Sequence, residues 1–131
     1  MNRSILGLAI RKTNEANAVV NSDEFYSKML QAFEQFVQCD SYPVFSELLT
    51  QKKQACSANP SQTKRINTVF NLLDAHVYAK LGDSEQECKS LLAFIQEAFT
   101  ELTTSQLAKM VESVIYRSLF SLMIYQYKES H

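Results

Sequence analysis

The residues of this chain that could carry out chemistry are few and lie far apart. His76, Asp74 and Cys88 are the residue types that a metal site or a general base would use. Asp74 and His76 are two residues apart, so on a helix they do not share a face. The only other histidine is His131, and no two histidines stand at helical spacing. The sequence therefore predicts neither a metal site nor a catalytic histidine.

The three cysteines also lack a spacing that is typical of redox or metal chemistry. Cys39, Cys56 and Cys88 form no C-x-x-C pair. The start of a helix would favour a thiolate at Cys88, but Glu85 and Glu87 beside it would oppose one. An odd number of cysteines without a secretory signal fits a reducing compartment. We expect three reduced, structural cysteines in a cytoplasmic protein.

Several other classes of activity require motifs that this sequence does not contain. The only glycines are Gly7 and Gly82, so there is no glycine-rich phosphate loop. No E-x-x-H motif is present, which argues against a di-iron carboxylate site. No apolar run approaches the roughly 18 residues that a membrane-spanning helix needs. We therefore expect a protein that is not an enzyme, binds no cofactor or metal, and has no membrane association.

Composition indicates a single helical domain over residues 1–131. The chain is 46% hydrophobic, which suits a folded domain, and it contains only two glycines and two prolines. So few turn residues favour helices joined by short links over a sheet. The apolar periodicity divides into six segments, and short links make consecutive helices antiparallel neighbours. We predict five or six antiparallel helices, arranged as a bundle or as a short solenoid of αα-hairpins.

Capping patterns predict where these helices begin and end. The predicted starts are at Asn21 with Glu24, at Asp40–Ser41, at Asn59 or Ser61, at Ser84 with Glu87, and at Thr103 with Gln106. Gly82 is expected to end the fourth helix in the left-handed conformation. The first helix is expected from Ser4 to Val20. Its polar middle, residues 11–15, could interrupt it, so residues 1–20 would either pack on the domain or stay mobile.

One hairpin resembles a known repeat family. Tyr78-Ala79-Lys80-Leu81-Gly82-Asp83-Ser84, followed by a second amphipathic helix, resembles the turn inside a tetratricopeptide repeat. The resemblance covers residues 64–99 and implies an αα-hairpin. The family places a small residue early in its second helix, where this chain has Cys88. A weak internal repeat at an offset of 43 residues, which relates Asp40–Ser41 to Asp83–Ser84, is longer than the family's period.

The last segment is apolar on two faces, and this is the most informative pattern in the chain. One stripe follows helical spacing and is typical of a core face: Leu107, Met110, Val111, Val114, Ile115, Leu122 and Tyr125. A second stripe, which we call the aromatic row, lies on roughly the opposite side: Tyr116, Phe120, Met123 and Tyr127. A helix that is apolar all round needs cover on every side. Either the first helix covers the aromatic row, or another chain does.

These observations favour a non-enzymatic protein-interaction module that docks a helix or peptide on an aromatic-lined surface. Adaptors, chaperones and regulator-binding proteins share this description, and the partner would be another protein or a second copy in a homodimer. The alternative is a helix-turn-helix DNA-binding regulator. In it, the pairs Lys52–Lys53 and Lys64–Arg65 would contact phosphates, and nearby polar side chains would read bases: Gln51, Gln54 and Asn67. A net charge of -1 disfavours nucleic acid as the partner.

Overall fold

A computed structural model describes residues 3–110, and these residues form an all-helical fold. Helices make up 82% of them, and no strand is present in this part of the chain. The helices are α1 (Arg3–Asn17), α2 (Phe25–Gln38), α3 (Tyr42–Ala55), α4 (Pro60–Lys80), α5 (Ser84–Ala98) and α6 (Thr104–Met110), with a 3₁₀ turn at Phe99–Glu101 between the last two. The predicted fold class is confirmed.

Helix α1 is continuous through its polar stretch, residues 11–15, so the interruption that the sequence allowed does not occur. Thr13 lies at the centre of this stretch and is fully buried. Its hydroxyl donates to the carbonyl oxygen of Ala9 at 2.9 Å, so the polar group is satisfied within its own helix. Arg11, Asn14 and Glu15 point to solvent. A small, internally bonded threonine on the inner face therefore lets α1 pack along α2 without a break.

The core is one cluster of side chains to which α1, α2, α3, α4 and α5 all contribute. Five large side chains in it are fully buried: Phe25, Met29, Phe36, Phe45 and Phe94. Phe36 and Phe45 join α2 to α3, with ring centroids 5.2 Å apart. Two apolar side chains at the end of α4 are exposed, Val77 at 39% and Leu81 at 73%. They lie in the last turn and at the C-cap of α4.

Helices α2 and α4 run side by side in the same direction. The Arg65 guanidinium near the start of α4 donates to the Ser22 carbonyl just before α2. Lys80 at the end of α4 lies 2.8 Å from the Asp40 carboxylate just after α2. Helix α5 returns along α4 after a three-residue turn at 81–83 in which Gly82 has φ 76°, as predicted. Helices α2 and α5 therefore flank α4 and run in opposite directions.

The structure confirms three of the predicted helix starts, including Ser41 as the N-cap of α3, and corrects two others. The Asn59 side chain accepts from the Gln62 amide at 3.1 Å, and Thr103 and Gln106 form the reciprocal capping bonds. The pairing of Asn21 with Glu24 is wrong, because Ser22 accepts from the Glu24 amide instead. The pairing of Ser84 with Glu87 is also wrong. The N-cap of α5 is one residue earlier, at Asp83, whose carboxylate accepts from the Gln86 amide at 3.1 Å.

The corrected cap gives a direct stability prediction. Asp83→Ala should lower the free energy of unfolding by about 1 kcal/mol, because it removes both the capping bond and a negative charge at the helix N-terminus. Ser84→Ala is the matched control at the next exposed position, and we expect it to change the unfolding midpoint little. Urea denaturation of both variants measures the difference. A larger loss in Ser84→Ala than in Asp83→Ala would contradict this assignment.

None of the helices within residues 3–110 combines the length and the apolar composition that crossing a membrane would require.

Candidate functional site: a groove between α2, α4 and α5

Residues 3–110 form a groove of about 510 Å³ with α4 as its floor and α2 and α5 as its walls. At one end the walls meet directly, since the Tyr26 and Phe94 rings pack edge to face with their centroids 5.8 Å apart. Towards the other end the groove is open. Its apolar lining is Leu30, Phe33, Val37, Leu72, Ala75, Ala79, Leu91 and Met110. The size and lining suit an apolar side-chain surface such as one face of a helix.

Polar groups border this apolar surface. Glu34 and Gln38 line it from α2, Glu87 from α5 and Lys109 from α6. Val37 is exposed at 38% in the α2 wall. An apolar floor with a charged border is the usual arrangement of a surface that binds a polypeptide. The groove was not predicted from the sequence, because its lining residues come from four separate helices.

His76 is the polar side chain that α4 contributes to the groove lining. Its ring lies edge to face against Tyr42 at 5.3 Å and against Phe33 at 6.0 Å. Its Nε2 atom is buried and has no hydrogen-bond partner within residues 3–110. Burial lowers the pKa of His76 below its ordinary value; the Lys80 ammonium lowers it further, and the Asp40 carboxylate raises it. The folded chain therefore favours a neutral imidazole.

The environment of His76 predicts a pH dependence of stability. Because the folded state lowers the pKa of His76, the unfolded chain binds the proton more readily. The contribution of the neutral His76 to the free energy of unfolding is complete above the ordinary histidine pKa of about 6.5. It is lost as the pH falls below that value. We expect His76→Phe, which keeps the ring contacts, to lose less stability than the unmodified chain between about pH 7 and 5. If the urea midpoints of His76→Phe and of the unmodified chain fell by the same amount over this pH range, the expectation would be contradicted.

Helix α6 is attached to α2 at the closed end of the groove through Gln106. The Ser27 hydroxyl donates to Gln106 Oε1 at 2.7 Å, and Gln106 Nε2 donates to the Ser27 carbonyl oxygen at 3.0 Å. The same Oε1 accepts from the Thr103 amide, so one buried amide both caps α6 and fixes it to α2. From this attachment α6 leads to Met110, which lines the groove.

The rotation of α6 about its axis agrees with the predicted core stripe. Leu107 and Met110, the first members of that stripe, pack against the core. Ser105 and Lys109 are exposed. The aromatic row itself (Tyr116, Phe120, Met123, Tyr127) lies outside the described residues, as do the later members of the core stripe.

The structure separates the basic pair Lys64–Arg65 that the DNA-binding alternative would use. Lys64 is exposed. Arg65 is turned inward, where its guanidinium pairs with Glu101 at 2.8 Å and donates to the carbonyl oxygens of Val20 and Ser22. It also lies 4.5 Å above the centre of the Tyr26 ring. A guanidinium with these partners stabilises the folded chain. Lys64 is the member of this pair that faces solvent.

The acidic, histidine and cysteine side chains of the described residues were also compared with the requirements of a metal site or a reactive thiol. No group of three or more histidine, cysteine or acidic side chains there could hold a metal ion. Burial raises the pKa of the Asp74 carboxyl. All three cysteines are free and buried. Burial raises the pKa of the Cys88 thiol, and Glu87 raises it further, so the reactive thiolate is disfavoured.

Comparison with known proteins gives no family assignment for this geometry. No known protein family, no curated protein and no solved structure matches the chain.

Proposed function

We propose that this chain is a non-enzymatic protein-interaction module that binds a protein partner through its aromatic row. Adaptors, chaperones and regulator-binding proteins are the functional classes that such a module would join. The partner would present an apolar helical face, either on another protein or on a second copy of this chain.

The orientation of α6 is the observation that carries this proposal. Leu107 and Met110 pack inward, whereas Ser105 and Lys109 face solvent. If the helical spacing of the sequence continues past Met110, the aromatic row comes to the side of α6 that carries the exposed Ser105 and Lys109, at the border of the groove. Tyrosine, phenylalanine and methionine are enriched in the centres of protein interfaces, where they bury a large area.

The double variant Phe120→Asp, Tyr127→Asp tests the proposal. We expect it to stay folded by circular dichroism and to lose its assembly in sedimentation, or its binding to a purified partner, because two carboxylates would have to be desolvated in the interface. Phe120→Leu, Tyr127→Phe is the matched control, since it keeps the row apolar and should keep the assembly. If the Asp variant unfolds, the row is covered within the chain and the proposal is wrong. A folded Asp variant with unchanged mass and unchanged binding would also contradict it.

A DNA-binding assay at increasing salt distinguishes the alternative function. A helix-turn-helix regulator would retard duplex DNA at low salt and lose affinity steeply as salt rises, because phosphate contacts release counterions. We expect no retardation. Salt-sensitive binding that Lys52→Glu, Lys53→Glu abolishes would favour the DNA-binding regulator instead.

A further inference from the structure

We infer that the connection between α2 and α3 is a pH-sensitive latch, which opens when His76 on α4 takes up a proton. Residues 39–42, which we call the corner, join the end of α2 to the first residue of α3. When the corner is closed, the imidazole of His76 packs against the rings of Phe33 and Tyr42. Because Phe33 and His76 also line the groove, opening of the corner would change the shape of that surface.

The backbone of the corner turns sharply out of α2. The Asp40 amide donates to the carbonyl oxygen of Val37, and the Ser41 amide donates to that of Phe36, which is the Schellman arrangement at a helix end. Asp40 takes the left-handed position of this motif with φ 51°, a conformation that favours glycine. Contacts between the corner and other elements must therefore offset the strain at Asp40.

Two side chains of α4 contact the corner. The His76 ring packs against the Tyr42 ring with centroids 5.3 Å apart. The Lys80 ammonium lies 2.8 Å from the Asp40 carboxylate and 4.9 Å from the centre of the Tyr42 ring. The Lys80 and Asp40 side chains are 48% and 74% exposed, and ion pairs as exposed as this contribute little stability. We therefore assign the attachment of the corner mainly to the packing of Tyr42 on His76.

Beyond the corner, α3 has an attachment of its own through Phe45, which is fully buried. The centroid of the Phe45 ring lies 5.2 Å from that of Phe36 and 5.5 Å from that of Phe33, both on α2. Neither contact involves His76. Release of His76 should therefore open residues 39–42 and leave the rest of α3 in place.

A proton on His76 opposes the closed corner. An imidazolium donates from both nitrogens, but Nε2 is buried and has no hydrogen-bond partner within residues 3–110. The Lys80 ammonium repels the added charge. The Asp40 carboxylate, which attracts it, is already bound to Lys80. Protonation therefore costs less free energy when the corner opens and water reaches the imidazole.

Other titratable side chains surround His76 without bonding to its Nε2 atom. They come from four helices, three across the groove and one in the ring contact: Glu34, Tyr42, Glu87 and Lys109. On α4 itself, Asp74 lies two residues before His76, and burial raises the pKa of its carboxyl. Asp74 is therefore the carboxyl whose titration must be separated from that of His76.

The ordinary histidine pKa of about 6.5 sets the pH range of the latch. If the closed corner binds no proton, the equilibrium constant for opening rises about tenfold from pH 7.5 to 5.5, because the open state alone gains protons. The hydrogen bond from Lys80 lowers the pKa of the Asp40 carboxyl, so the Lys80–Asp40 pair stays ionised over this range.

Cysteine labelling in the folded full chain tests the latch. Cys39 lies in the corner and is 7% exposed, and Cys56, just after the far end of α3, is 8% exposed and serves as the internal control. Dithiodipyridine reacts with thiols at acidic pH, and peptide mass spectrometry gives a rate for each cysteine. Division by the rate in the urea-unfolded chain at the same pH removes the effect of thiolate formation. His131→Gln in every sample leaves His76 as the only histidine.

We expect the corrected rate at Cys39 to rise about tenfold between pH 7.5 and 5.5, and the rate at Cys56 to rise by less than about twofold. His76→Phe keeps a ring in place and should abolish the rise at Cys39, whereas Asp74→Asn should keep it. A constant rate at Cys39, or an equal rise at both cysteines, would overturn the latch. A rise that persists in His76→Phe or disappears in Asp74→Asn would overturn it as well.

Lys80→Met gives a second measurement that leaves His76 unchanged. It removes the repelling ammonium and frees the Asp40 carboxylate, so the closed corner can hold a protonated His76 more easily. We expect the ratio of the Cys39 rates at pH 5.5 and 7.5 to be smaller than in the unmodified chain. Lys89→Met is the matched control, because Lys89 is exposed on α5 and pairs with Glu85. An unchanged ratio in Lys80→Met would overturn the charge mechanism of the latch.

Discussion

Arg65→Met is expected to lower the free energy of unfolding by about 3 kcal/mol, measured by urea denaturation. The methionine keeps most of the side-chain volume over Tyr26 but removes the charge and every hydrogen bond. Glu101, whose side chain is 13% exposed, would then be a nearly buried carboxylate without its cation. The carbonyl oxygens of Val20 and Ser22 would also lose the bonds from the guanidinium, although Ser22 keeps the bond from the Phe25 amide.

The double variant Arg65→Met, Glu101→Leu is the control that separates the ion pair from its surroundings. Removing one member of a buried pair costs more than replacing both, because the stranded charge is the larger penalty. We therefore expect the double variant to be more stable than Arg65→Met alone. A single variant that loses less than about 1 kcal/mol would show that Arg65 contributes no more than a surface ion pair does.

Gln106→Leu is expected to lower the free energy of unfolding by about 2 to 3 kcal/mol. The leucine fits a buried site but leaves the Ser27 hydroxyl, the Ser27 carbonyl oxygen and the Thr103 amide without their partner. The loss combines a missing helix cap with orphaned polar groups between two helices. Urea denaturation followed by tyrosine fluorescence and by circular dichroism measures it.

Ser27→Ala is the matched control for this prediction. It removes one hydroxyl and leaves the Thr103 cap and the bond to the Ser27 carbonyl oxygen in place, so we expect a loss of about 1 kcal/mol. Equal losses in the two variants would mean that the amide of Gln106 contributes only through the Ser27 hydroxyl. That result would contradict its role as both cap and attachment.

Local features of the fold could be predicted from the sequence because they depend on neighbouring residues. The Asn59 cap, the Thr103–Gln106 pair and the left-handed Gly82 each involve positions within four residues of one another. The error at the start of α5 has a local cause as well. Asp83 with Gln86 and Ser84 with Glu87 both fit a capping pattern, and the pattern alone cannot choose between frames that differ by one residue.

The groove and the role of Arg65 could not be predicted because their parts are distant in the sequence. Arg65 reads as one half of an exposed basic pair, whereas its partners Val20, Ser22 and Glu101 lie 36 to 45 residues away. The groove depends on how α2 and α5 diverge over α4, which no periodicity within a single helix records. Sequence patterns identify which face of each helix turns towards the core, but they do not show where two such faces are separated by a groove.

The attachment at Gln106 also bears on the order in which the molecule opens and closes. Helices α1 with α2 and α4 with α5 pack against their neighbours in sequence, and such local contacts form early in folding. The bond between Ser27 and Gln106 closes a loop of 79 residues. The chain must therefore lose the conformational entropy of that loop before α6 gains its contact with α2. Helix α6 should therefore dock last in refolding. In hydrogen exchange its amides should lose protection before those of α2 and α4, as a separate opening unit.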